Sequence, residues 1–133
     1  MTITMDLDHA LDAVAITHRV VVISHEGDEK GRFYHPRLIS LRAGLGPVNR
    51  RCTLAHELAH AIHGDDPAAT GWLRARQEAR ADQQAADWLI DPDAYRQAEA
   101  MHGPHPGALA AELGVTVHLV QVWRDHMVRA RTA

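Results

Sequence analysis

Five consecutive residues, His56-Glu57-Leu58-Ala59-His60, carry types and spacing that do chemistry. They read H-E-x-x-H. On a helix of 3.6 residues per turn, side chains four apart leave the same face, so both imidazoles can reach one metal ion. A glutamate beside the first histidine can take a proton from a water that the metal activates. This is the minimal apparatus for zinc-dependent peptide hydrolysis. The flanks predict the helix that this needs. From Asn49 or Thr53 to Ile62 the chain is rich in Leu and Ala and free of proline, and Gly64 follows as a C-cap. Leu54, Leu58 and Ile62 repeat every four residues and predict a core-facing stripe, with His56, His60 and His63 on the stripe beside it.

Two histidines do not complete a catalytic zinc site, which usually takes three protein ligands and leaves a fourth position for water. The third is expected from Glu78, in Glu78-Ala79-Arg80-Ala81-Asp82. That stretch reads as a second helix, from about Trp72 to Ile90, stopped by Pro92. Run antiparallel to the first, it brings Glu78 opposite the histidine pair. Asp82, one turn on, can accept the free ring N–H of a ligand histidine and fix its tautomer. His63, Asp65 and Asp66 are alternative third ligands, disfavoured because they lie so close to the end of the first helix. The competing reading is an exposed His/Glu face without metal, since a pentapeptide is short and the chain has 11 histidines.

Arg51-Cys52-Thr53-Leu54-Ala55-His56-Glu57-Leu58-Ala59-His60-Ala61-Ile62-His63 resembles the R-x-T-L-A-H-E-L-G-H-A-x-x-H signature of the ImmA/IrrE metallopeptidases. Glu78-Ala79-Arg80-Ala81-Asp82, continuing through Ala85 and Ala86 to Pro92, resembles that family's second motif, and its spacing resembles the gluzincin arrangement. The resemblance spans roughly Val20 to Met127 and departs from the pattern at Ala59, where glycine is usual, and at Gln84, where an aromatic is common. It implies a zincin-like fold, Zn2+ held by His56, His60 and Glu78, and Glu57 as general base. It also implies a protein substrate, typically a helix-turn-helix repressor, in phage, mobile-element or stress-response circuits, and so an anti-repressor role. Two alternatives come from other classes. One is a repressor- or DNA-binding module with a structural zinc that never cleaves. The other is the toxin-like half of a toxin–antitoxin pair.

The remaining elements must position these side chains. At 133 residues the chain is long enough for one domain with its own core. Its apolar share leans on alanine, with aromatics at 5%, which favours close-packed helices over a large β-sandwich. The expected class is α+β, mainly helical, with a small antiparallel sheet and a C-terminal helix-turn-helix-like pair. Residues 1–48 would hold an N-terminal helix and the sheet, 49–92 the metal-site helices and 93–133 the C-terminal helices. A first helix is predicted over Asp6 to Thr17, with Leu7, Leu11 and Val14 inward. Strands are predicted at Arg19 to His25, Arg32 to His35 and Arg37 to Leu41, the first two separated by the turn Glu26 to Gly31. Asp91-Pro92 opens a helix toward Met101. The strand near Leu38 to Leu41 is the expected edge for substrate. His25 and His35 read as surface hairpin histidines before they read as oxyanion donors.

Leu109 to Thr116, followed by Val117 to Arg129, has helix-turn-helix spacing, with Gly114 at the turn, Thr116 as N-cap and Val120 buried. Its second helix is apolar and poor in charge, so it reads as a structural pair or a protein-docking surface before a DNA reader. A net charge of −3 gives no pull toward nucleic acid or anionic membrane. The single cysteine, Cys52, excludes an internal disulfide and reads as a small buried hydrophobe. With no leader and no membrane-length apolar run, the expected location is the cytoplasm of a bacterial host cell.

Overall fold

The structure, a computed structural model, describes residues 6–132. Its elements run in the order α1 (Leu7–Thr17), β1 (Val21–His25), β2 (Gly31–Tyr34), β3 (Leu38–Arg42), α2 (Pro47–His63), α3 (Gly71–Leu89), α4 (Pro92–His102), α5 (Pro106–Leu113) and α6 (Val117–Thr132). The class is α+β and mainly helical. The sheet is mixed. β3 lies between the other two, pairing antiparallel with β2 and parallel with β1. The expected all-antiparallel sheet therefore holds for β2 and β3 only. The chain leaves β1, crosses to the far side for β2, and returns to insert β3 in the middle. That leaves β3 with both edges used, so the strand expected to receive substrate cannot do so; the strand with a free edge on the helical side is β2.

Local chemistry sets the helix ends. Pro47 opens α2 as its first residue, and Gly64 closes it in the left-handed conformation (φ 65°). Asp91 caps α4, its carboxylate accepting from the Ala94 N–H at 3.0 Å, with Pro92 as first residue. Thr116 caps α6, its hydroxyl accepting from the Leu119 N–H at 3.2 Å. Gly114 ends α5 at φ 69°. Gly64, Asp91, Gly114 and Thr116 act as the sequence predicts, while α2 begins at Pro47, ahead of the expected Asn49 or Thr53.

One contiguous apolar core joins the sheet to the helices. Ile39 and Leu41 of β3 and Phe33 of β2 meet Leu54, Ala55 and Leu58 of α2, while Ala85, Ala86 and Leu89 of α3 pack on the other side. Ile62, expected on the same stripe, is half-buried near the end of the helix. Alanine on the α2 and α3 contact faces lets these helices approach closely. Val120 and Trp123 of α6 lie in the same core, and Tyr95 of α4 packs on Trp123 with ring centroids 4.3 Å apart. Arg51 ties three elements together. Its guanidinium donates to both Asp8 carboxylate oxygens on α1, at 2.9 and 3.2 Å, and to the Gly114 carbonyl at 2.6 Å. Among the described residues no helix is long and apolar enough to cross a membrane.

Candidate metal centre

Helix α2 brings His56 and His60 to one face, four residues apart, with ring centroids 4.7 Å apart and planes nearly perpendicular. Helix α3 packs across them and delivers Glu78. The His56 Nε2 lies 2.8 Å from Glu78 Oε2, the His60 Nε2 lies 3.3 Å from Glu78 Oε1, and the two Nε2 atoms are 3.1 Å apart. Ligand atoms at ordinary zinc bond lengths in a tetrahedron sit about 3.3 Å from one another. The three groups therefore have the spacing of a coordination triangle before any ion is placed. Among the described residues this trio is the group able to hold a metal ion.

The proton arrangement points the same way. His56 Nδ1–H donates to Asp82 Oδ1 at 2.8 Å, and His60 Nδ1–H donates to Asp65 Oδ2 at 2.8 Å. With the ring proton on Nδ1, where Asp82 and Asp65 each accept it, both rings turn the Nε2 lone pair inward. Two lone pairs and a carboxylate then face one another, which only a cation or an extra proton can reconcile. The donor set, two imidazoles and one carboxylate, suits a divalent first-row ion.

The charges respond accordingly. Burial alone would lower the His56 value, but the Asp82 hydrogen bond and the carboxylates of Glu57, Asp82 and Glu78 outweigh it and raise it. Burial likewise raises the Glu57 carboxyl above its ordinary range, against the pull of His56 and His60. Burial would raise Asp82, yet hydrogen bonds from His56 and His118 bring it below the usual value. Glu57 is 8% exposed and lines the same cavity as His60 and Glu78.

That cavity, about 380 Å³, lies between β2 and the start of α3. Gly31, Arg32, Phe33 and Tyr34 form one wall, and Pro67, Ala68, Ala69 and Arg74 the other. The site is packed tightly against the strand. A Cβ built on Gly31 would come 2.5 Å from the Thr53 methyl and 3.3 Å from Glu57 Cγ.

The structure brings His56, Glu57, His60, Glu78 and Asp82 together and leaves other candidates out. His63 is exposed at the helix end. Asp66 accepts from the Ala68 N–H at 2.9 Å, and its own backbone pairs with the Gln77 amide. Asp65 lines the cavity and meets the trio through His60, whose Nδ1 its Oδ2 accepts from. His25 is fully engaged, Nδ1 with the Ser40 hydroxyl at 2.6 Å and Nε2 with the Glu29 carbonyl at 2.7 Å, and it does not line the cavity. His35 packs edge-on to Phe33 and is likewise outside the cavity. Cys52 is buried, and burial pushes its thiol up, away from reactive thiolate character. Sequence reasoning missed Asp65 as a partner of His60, His118 as a partner of Asp82 (Nε2 to Oδ2, 2.9 Å) and Phe33 stacked beneath His60 at 6.3 Å. Only Asp65 left a signal, as an acidic residue directly after the capping glycine.

No curated protein matches the chain. The family model described as Peptidase_M78, IrrE N-terminal-like domain, matches residues 16–122, well over half the length, and the chain belongs to that family of metallopeptidases.

Proposed function

We propose that this protein is a zinc-dependent endopeptidase, acting in the bacterial cytoplasm, that cuts a helix-turn-helix transcriptional repressor and so relieves repression. The observation that carries the reading is the convergence of His56, His60 and Glu78, the last two lining a cavity that the edge strand β2 also lines. His56, His60 and Glu78 would hold the ion. When bound there, a zinc ion supplies Lewis-acid polarisation of a peptide carbonyl and acidifies water toward neutrality.

The chain's own residues do the rest. An extended peptide laid along β2 would bond to its free backbone groups and be held straight across the cavity. Glu57, on the cavity wall, takes the proton of the attacking water and passes it to the departing amine. Its upward displacement by burial suits both steps, because a weaker acid is a stronger base and still gives the proton back. Asp82 keeps the His56 lone pair turned inward. Arg32, Tyr34 and Arg74 are the cavity-lining side chains with protons to offer a developing oxyanion, since Gln77 is committed to the Asp66 backbone. The α5–α6 pair has an internal task. Leu119, Val120 and Trp123 are in the core and His118 is on Asp82, which supports a structural pair over a DNA reader.

The test has two parts. Purified chain, chelated and reloaded, should hold close to one zinc, lost in His56→Ala. The loaded chain should then cut a repressor encoded beside its gene at a single loop, mapped by mass spectrometry. Absence of zinc uptake, or a salt-sensitive DNA shift without any cleavage, would count for a non-cleaving binding module instead.

A further inference from the structure

The two metal-facing histidines are not held alike. Asp82, behind His56, is half-buried and shares its second oxygen with the exposed His118. Asp65, behind His60, is 4% exposed and keeps both oxygens inside the protein. Its position comes from the end of α2. Gly64 turns left-handed, the Asp65 N–H donates to the His60 carbonyl at 3.0 Å, and the chain folds back on its own last turn. That reversal places Asp65 Oδ2 2.8 Å from the His60 Nδ1, while Asp65 Oδ1 accepts from the Arg80 guanidinium of α3. A buried carboxylate is costly unless its oxygens are paired, and here one oxygen has the ring and the other the guanidinium. Phe33 stacks on the same ring from the sheet side, with planes 15° apart.

We propose that Asp65 is a positioning residue of the metal site, fixing the tautomer and rotation of His60, and that Arg80 is the clamp that keeps Asp65 in place. The inference rests on the metal reading above. With Nδ1–H bound to Asp65, the His60 ring has one donor atom left, Nε2, aimed between His56 and Glu78. Among the described residues Asp65 is the hydrogen-bond partner of His60 Nδ1, and Phe33 stacks on the ring without selecting which nitrogen faces the ion. Arg80 and Glu78 stand two residues apart on α3, so the helix that brings the carboxylate ligand also brings the clamp for the opposite histidine. Alignment of α2 with α3 and alignment of His60 with the ion are thereby one event.

Cobalt titration separates this from a purely structural ion pair, because the visible spectrum of bound cobalt reports ligand geometry. Asp65→Ala should weaken cobalt affinity roughly ten- to a hundred-fold and alter that spectrum. Asp65→Asn keeps an acceptor for the ring N–H and should recover part of the affinity. Arg80→Ala, at a half-exposed position on a helix, leaves one Asp65 oxygen to water, so it should cost some stability and show a smaller loss of affinity. The double variant should bind no worse than Asp65→Ala, since Arg80 acts through Asp65. If Asp65→Ala, or Arg80→Ala should the former not fold, binds cobalt with wild-type affinity and spectrum, this inference is overturned and the metal reading stands. If the wild type takes up no cobalt or zinc, both fall.

Discussion

Glu57 is buried beside His56 and His60, and that burial makes it a base whose loss is specific. Glu57→Gln preserves size and hydrogen bonding and should leave zinc content unchanged while peptide cleavage falls by about 10² to 10⁴-fold. Equal turnover in both chains would remove Glu57 from its role. Gly31 is the second residue on which the site depends, for the opposite reason: it has no side chain. Gly31→Ala puts a methyl into the Thr53 methyl and against Glu57, so the strand or the helix must give. A loss of about 1–3 kcal/mol in urea unfolding is expected, with reduced cleavage by the surviving fold. At this scale the sequence was open about some residues and silent about others. His56, Glu57 and His60 are adjacent in the chain, so their spacing alone declared them. Asp65 was visible only as one more acidic residue near a helix end, because its role depends on the backward turn at Gly64. Nothing in the residues around Gly31 announced that it faces Thr53 across two elements. Ala59 is fully buried, and the helix accommodates the methyl that replaces the family's glycine.

Elements are joined here by a few polar pins, and one of these titrates, as does one bond within a helix. The Asp8 carboxylate is held below its ordinary value chiefly by its hydrogen bonds from Arg51. A carboxyl depressed in the folded state stabilises that state above its unfolded value near 3.8, and the contribution fades as the pH falls through the folded value. Asp8→Asn should therefore be less stable than the wild type at neutral pH, by about 0.5–1 kcal/mol since Asp8 is partly exposed, and the gap should close in strong acid. Urea midpoints across pH measure it. Tyr95 runs the other way. Burial of its ring, with its hydroxyl donating to Glu99 at 2.6 Å, pushes its value up to about 12 from 10.0. Stability from the neutral phenol is complete below 10.0 and is lost as the pH climbs toward about 12. Phenolate absorbance should show a late, unfolding-linked phase that Tyr95→Phe abolishes. Helix positions were legible because caps and breaks are local: Pro47, Gly64, Asp91, Gly114 and Thr116 act on their own neighbours. Strand order was not. Alternation says which residues are strand, while the insertion of β3 between β1 and β2 rests on a pairing between strands that are not neighbours in sequence.

For the molecule as a whole, a bound ion would act as a cross-brace. It would tie α2 to α3 at a point where, without it, two lone pairs and a carboxylate face each other. Chelation should then lower the melting temperature by roughly 10 °C at saturating zinc, because a ligand held a hundred-fold above its dissociation constant adds about 2.7 kcal/mol. Glu78→Ala should melt at one temperature with or without zinc. A chelator that leaves the wild-type melting curve in place would speak against the brace. The pairing of α2 with α3 could be read in advance, from two motifs that make sense only face to face. The reach of α6 into the same site could not, since His118 lies 36 residues beyond Asp82. That contact and the Arg51 bond to Gly114 change what kind of object the C-terminal helix pair is. It has the outline of a portable reading head, the sort of part that recombination moves between proteins. In this chain its turn is wired into the rest of the protein on both sides, through Gly114 and His118, so exchanging it for another such pair would unsettle His56 and α1 together. The helix pair is part of the site it braces.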